Sequence, residues 1–276
     1  MELPTRIDTT KAADSVSVQE SVYDYSPVAG TLSSVEWHVN FADTNLFFGY
    51  GSTLFAQDEI QAAEHPVLGA LREALIAEGL HALTVEDGSP TPVLVMGAER
   101  RCRVATEPNA AEGRPHGLYG NAFALADLKA VQRATTRIDP PTISNLIAIA
   151  APSGGYGFYR EAEIEHILIT AYSGFRAAVL ESLRKQASAP CVVHTGFWGC
   201  GAFGGHRVLM AMLQILAAGM AGVDRLVFHT ITEAGTEQLE AAKVLIREQL
   251  GTVATTSDII DQILAMGFKW GVSDGN

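Results

Sequence analysis

Three groups of residues in this 276-residue chain are of types that do chemistry. The first is Thr195-Gly196-Phe197-Trp198-Gly199-Cys200-Gly201-Ala202-Phe203-Gly204-Gly205, set between an apolar strand over 190–194 and a helix carrying Val208, Leu209, Met212, Leu213 and Leu216. Glycines let the backbone turn tightly and come close to a ligand, and the N–H groups opening the next helix, backed by its dipole, suit an anion such as a phosphate. The plain alternative is a tight strand-to-helix connection that binds nothing. The second group is Asp58-Glu59, a carboxylate pair at a helix start; taken alone, an acid in a first turn is a solvated residue favoured by the dipole. The third is Cys200, a possible nucleophile with His194 or His206 as base, or a small packing residue. His194 and His206 with Asp58 or Asp224 could also be assembled into a metal site, but no helix-spaced pair supports one, so neither metal nor cofactor is expected. Trp198 reads as loop packing. Tyr156, in a second glycine loop over 152–157, reads equally as a ring-stacking residue or a plain turn residue.

The elements that must position these groups follow from periodicity. Apolar and polar residues alternate over 33–42, with Val35, Trp37, Val39 and Phe41 on one side and His38 on the other, which predicts a half-buried strand. A helix follows Gln57 and breaks at Pro66. Residues 93–97 predict a short buried strand, 98–120 a long surface loop, 122–133 a helix, and 145–151 a continuous apolar strand. A helix over 161–186, a strand over 225–229, a helix over 233–249 with Leu239, Val244, Leu245 and Leu250 inward, and a helix over 257–266 complete the chain. Alternating strands and helices predict an α/β fold with a parallel or mixed sheet covered on both faces, its ligands held in loops at the carboxyl ends of strands. Residues 1–20, rich in Thr, Ser and Asp, read as a flexible arm, and 21–276 as a single domain.

A net charge of -12 argues against general affinity for nucleic acid and means that an anionic ligand needs a local positive site. Three scattered cysteines, a polar start and no run of about 18 apolar residues predict a reducing, cytoplasmic location without a membrane partner.

Two segments resemble the poly(ADP-ribose) glycohydrolases. Residues 195–205 differ at one position from the family's Thr-Gly-Asn-Trp-Gly-Cys-Gly-Ala-Phe-Gly-Gly. Asn40-Phe41-Ala42, Gly49-Tyr50-Gly51 and Gln57-Asp58-Glu59 are similar to its Asp-Phe-Ala-Asn, triple glycine and Gln-Glu-Glu, and Ala171-Tyr172-Ser173-Gly174-Phe175 is a weaker echo of Ala-Tyr-Cys-Gly-Phe. The resemblance implies a three-layer α/β/α macrodomain-like fold with a mixed central sheet. It also implies an ADP-ribosyl ligand, carried by a small molecule or a protein. The diphosphate would lie on Gly199, Cys200, Gly201, Ala202, Phe203 and Gly204, beside Gly196, Phe197 and Trp198. The distal ribose would lie against Phe41, Gly49, Tyr50, Gly51 and Gln57. Glu59 matches the general acid that protonates the leaving oxygen, and Asp58 the residue that positions the leaving group. Such an acid must be protonated near neutral pH, which burial and the neighbouring Asp58 charge would favour.

The departures point to a smaller ADP-ribosyl substrate. Tyr50 interrupts the triple glycine, Asp58 is one methylene shorter than the family's glutamate, and Phe197 replaces an asparagine. Residues 99–104 lack the family's adenine-stacking tyrosine, and Thr230 stands in place of its covering phenylalanine. Two other functions fit the same residues: a reader that binds ADP-ribose without cleaving it, and an enzyme acting on an NAD-derived metabolite.

Overall fold

The computed structural model describes residues 2–26 and 34–275. Residues 6–19 form regular elements rather than a flexible arm. Arg6–Asp8 forms strand β1, Thr9–Asp14 helix α1 and Val16–Gln19 strand β2. The polar composition hides Ile7, Ala12 and Ala13, which are buried in the main core and hold this stretch in place. Strand β3 (Val35–Ala42) leads to helices α2 (Gln57–Glu64) and α3 (Val67–Ala77), which are separated at Pro66 as expected. A small hairpin, β4 (Val85–Glu86) and β5 (Ser89–Pro90), precedes β6 (Val93–Val104), α4 (Leu128–Ala134) and β7 (Thr135–Ala150). The chain continues through α5 (Glu161–Lys185), β8 (Cys191–Gly196), α6 (Arg207–Ala221), β9 (Arg225–His229), α7 (Glu233–Gln249), β10 (Val253–Thr255) and α8 (Thr256–Ala265).

Six strands form the central sheet in the order β2-β9-β8-β3-β7-β6. All neighbours are parallel except β6 and β7, so the sheet is mixed. Because helices pack on both faces of the sheet at β3, it is not the half-buried strand its alternation predicted: Val35, Trp37 and Val39 are buried, and so are His38, Asn40 and Ala42. The first set joins Ile147, Ile149 and Val193 in a core shared with α5, α6 and α7. The second set faces the other side of the sheet, where Ala42 packs with Leu146 and Ala148 against Ala62 of α2 and Leu68 of α3. These are the three layers. Trp37 shows how the core meets its polar demands: its indole N–H donates to Ser182 Oγ on α5 at 2.9 Å.

Two predicted boundaries move. Strand β6 runs on to Val104, past the short strand expected at 93–97, because β7 begins at Thr135 and offers it a long antiparallel partner; two irregularities in register, near Gly97 and Arg101, mask the alternation. The helix expected over 122–133 divides into a 3₁₀ turn, Asn121–Leu125, and α4. Of the residues expected inward on α7, Leu239 and Leu250 are buried, while Val244 is 43% exposed. Among the described residues, no helix is long and apolar enough to cross a membrane.

Candidate active site

The two motif segments meet at the carboxyl edge of the sheet. The tip of the Phe41 ring, on β3, reaches Gly196 at the end of β8, where an added Cβ would lie 3.4 Å from it. Helix α2 is pinned beside this junction by Gln57. Past His38, strand β3 no longer pairs with β8. There the Gln57 amide takes the place of a neighbouring strand: the Phe41 N–H donates to Gln57 Oε1 at 2.8 Å, and Gln57 Nε2 donates to the Val39 carbonyl at 3.0 Å.

The acidic pair that follows Gln57 divides in direction. Asp58 turns inward, and its Oδ1 accepts a hydrogen bond from Asn40 Nδ2 at 2.9 Å. Burial pushes its carboxyl up to about 7, helped by the Glu59 and Asp43 carboxylates and opposed by the Asn40 hydrogen bond. Glu59 turns toward the loop over 49–51. Its Oε2 accepts from the Ala56 N–H at 2.9 Å and so caps α2. Its Oε1 lies where a Cβ on Gly49 would be, only 2.1 Å from that position. The Glu59 carboxyl is also raised, first by burial and then by Asp43. The assisting charge is thus Asp43, not the Asp58 carboxylate named from sequence. Both acids are 7% exposed, which overturns the solvated first-turn reading.

Tyr50 leaves the site. Its ring lies over Gly69 of α3, where an added Cβ would come within 2.9 Å of it, and its hydroxyl donates to Glu73 Oε1 at 2.8 Å. A side chain at Gly51 would meet open space, so within Gly49-Tyr50-Gly51 only Gly49 is required to be glycine by contact.

The glycine loop is closed by its own backbone: the Gly205 N–H donates to the Gly199 carbonyl at 2.9 Å, and the Gly204 N–H to Gly201 at 3.0 Å. Gly199 and Gly204 have φ of +73° and +64°, the left-handed region that favours glycine. Trp198 is buried and donates from Nε1 to the Ile149 carbonyl at 3.1 Å, the packing role expected. Phe197 also packs, edge-on to Phe228 and beneath the guanidinium of Arg207. Arg207 is exposed at the first turn of α6 and supplies positive charge next to the loop.

The nucleophile reading of Cys200 finds no base. Burial pushes its thiol up to about 12, and its Sγ–H donates to the Trp198 carbonyl. His194 is tied to His229 and Glu36 in the interior, while His206 Nδ1 caps α6. The metal reading fails on placement, since Asp224 accepts from the Cys191 N–H at the opposite end of β8. Among the described residues no group of three or more His, Cys, Asp or Glu is arranged to hold a metal. Tyr156 is 98% exposed.

Sequence reasoning missed four contributors. Asn40, which the sequence names only within its motif, and Asp43 just after that motif act on the acidic pair, and neither carries a role that the sequence assigns. The Tyr119 hydroxyl is pushed up by burial and then by the Asp274 and Glu59 carboxylates. The segment 269–275 crosses the glycine loop, and nothing in its composition marks it.

A mixed six-stranded sheet between helical layers, with a glycine loop feeding α6 and an acidic pair at the start of α2, defines a macrodomain-type α/β protein. Residues 30–238 match the family described as poly(ADP-ribose) glycohydrolase (PARG), Macro domain fold, and the chain belongs to that family. It is similar to the poly(ADP-ribose) glycohydrolase of Thermomonospora curvata bound to the inhibitor ADP-HPD, at 17% identity over 87% of this chain and 83% of that one, with a TM-score of 0.49. It is also similar to the enzyme of Deinococcus radiodurans in complex with ADP-ribose, at 15% identity over 88% and 91% of the two chains, with a TM-score of 0.47. A macrodomain of Oceanobacillus iheyensis with MES bound matches at 13% identity over 84% and 92%, with a TM-score of 0.45.

Proposed function

We propose that the protein hydrolyses the glycosidic bond at the distal ribose of a small or terminal ADP-ribosyl compound. Family membership supports the reaction class. The observation that carries the assignment to this chain is the Glu59 carboxyl: buried, raised, capping α2 and directed at Gly49. In this reading Glu59 gives its proton to the leaving oxygen as the bond from that oxygen to C1 of the ribose breaks and an oxocarbenium-like centre forms. Water then adds to C1, and its proton restores Glu59. Asp58, held by Asn40, positions the pair, and the loop over 199–205 with Arg207 receives the diphosphate. The departure of Tyr50 onto α3 leaves the loop at 49–51 open on the Gly51 side.

Wild type and Glu59→Gln are to be incubated with poly(ADP-ribose), a mono-ADP-ribosylated peptide and NAD, with ADP-ribose release followed by mass spectrometry and ADP-ribose binding by calorimetry. Release by wild type that Glu59→Gln abolishes supports the assignment. Binding without release leaves a reader of ADP-ribose, release from NAD alone makes the substrate an NAD-type metabolite, and no binding removes the ligand class.

A further inference from the structure

The glycines of the loop over 199–205 make room for something already present. After α8 the chain turns back, and the Trp270 ring stacks on Tyr159 at 4.2 Å, while the Trp270 backbone N–H donates to the Gly157 carbonyl at 2.9 Å. From that anchor the next residues run along the loop. The Gly271 N–H donates to the Gly204 carbonyl at 2.8 Å, and the Asp274 N–H to the Gly201 carbonyl at 3.4 Å. Asn121 Nδ2 then donates to the Gly275 carbonyl on the far side. A Cβ at Gly204 would lie 3.1 Å from the Ser273 nitrogen, and a Cβ at Gly201 would lie 3.2 Å from Asp274 Oδ2. The close approach that the sequence reserves for a phosphate is thus made by a peptide strap, and the strap delivers a carboxylate to the loop.

We propose that residues 271–275 are an intramolecular occupant of the anion seat, with the Asp274 carboxylate standing where a ligand phosphate enters, so that an ADP-ribosyl ligand binds by displacing the strap. The proposal rests on the reading that this loop receives a diphosphate. Two anions cannot share one cradle at this separation without a large repulsive cost. The strap is also built to leave. Backbone hydrogen bonds from Gly271 and Asp274 join it to the loop, Asn121 holds its far end, and residues 271–275 are all exposed, Val272 at 91%. Trp270 stays packed on Tyr159, so release hinges at residues 270–271.

The test uses the full chain, Asp274→Asn, and a chain lacking 271–276 but keeping Trp270, each titrated with ADP-ribose and separately with pyrophosphate by calorimetry. Hydrogen exchange at the Gly271 and Asp274 amides is followed with and without ligand. Asp274→Asn keeps the strap's shape and removes its charge, and is expected to bind both probes about tenfold more tightly. Deletion is expected to tighten binding at least as much, and ligand is expected to speed exchange at both amides. Unchanged affinity in both variants, or slower exchange on binding, overturns displacement. Tighter pyrophosphate binding with no ADP-ribose binding keeps the strap and removes the proposed ligand. No binding of either probe to any variant overturns both.

Discussion

The Glu59 carboxylate occupies the volume that a side chain at Gly49 would need, its Oε1 lying 2.1 Å from the Cβ position. Loop and acid are therefore one unit. Gly49→Ala is expected to push the carboxyl off the Ala56 N–H, and a displacement on the order of an ångström is enough to lower ADP-ribose release about a hundredfold. Global stability is expected to change little, because only one cap hydrogen bond is lost, at about 1 kcal/mol. Gly51→Ala, which meets open space, is the control and should leave the rate alone. Equal loss in both variants would show that the loop needs backbone freedom rather than room for Glu59.

Gln57 does the work of a missing strand. Its amide serves the Phe41 N–H and the Val39 carbonyl where β3 and β8 part, and Gln57→Leu leaves both groups without a partner. Each orphaned backbone group costs about 1–3 kcal/mol, so the variant is expected to lose about 3 kcal/mol in urea denaturation. A loss under about 1 kcal/mol would mean that water reaches these groups and that the amide is not the staple.

How much of this was readable beforehand depends on whether the signal was local. The glycine loop, the acidic pair and the break at Pro66 are local chemistry, and each lies where periodicity and motif placed it. The β1-α1-β2 segment was missed because its apolar residues are few and its strand owes its place to pairing with β9, a partner 210 positions away in the register of Val16 and Leu226. The extension of β6 failed for the same reason, its alternation being reset by irregularities that only the partner β7 explains. At the site, the type of Asp58 and Glu59 was legible and their directions were not. Asn40 draws one inward and Gly49 admits the other, and both are contacts across the fold.

A buried ion pair fixes the far end of α2. Arg100 Nε on β6 meets Glu64 Oε2 at 2.8 Å, and Glu64 Oε1 accepts from the Val104 N–H. Glu64→Ala strands a buried guanidinium and is expected to cost about 3–5 kcal/mol, whereas Arg100→Met with Glu64→Met together is expected to cost less than the single change. Chemical denaturation of the three variants decides it. A double variant no better than Glu64→Ala would show that packing, and not the stranded charge, sets the cost.

Asp58 and the buried histidines pull the pH dependence of stability in opposite directions. Its carboxyl rises from 3.8 unfolded to about 7 folded, so its contribution is fully present below pH 4 and is lost as pH climbs to 7. His65 and His229 act in the opposite sense: both fall from 6.5 to about 4 by burial, so their contribution is lost as pH falls through that window. His38, stacked on His194, is lowered in the same direction by burial and by the surrounding histidines. Between pH 4 and 6.5 the acid and the histidines therefore oppose each other, and the wild-type stability curve is flatter than the histidines alone would make it. Asp58→Asn removes the acid's share. The amide oxygen still accepts from Asn40, so the variant is expected to match wild type near pH 4 and to exceed it progressively toward pH 7, by at most on the order of 4 kcal/mol. Thermal denaturation of both proteins across pH 4–8 measures the gap. A gap that does not widen with pH would mean that Asp58 ionises normally in the fold. A stabilised variant that has also lost ADP-ribose release is the outcome expected of a carboxyl kept in an unfavourable place for its chemistry.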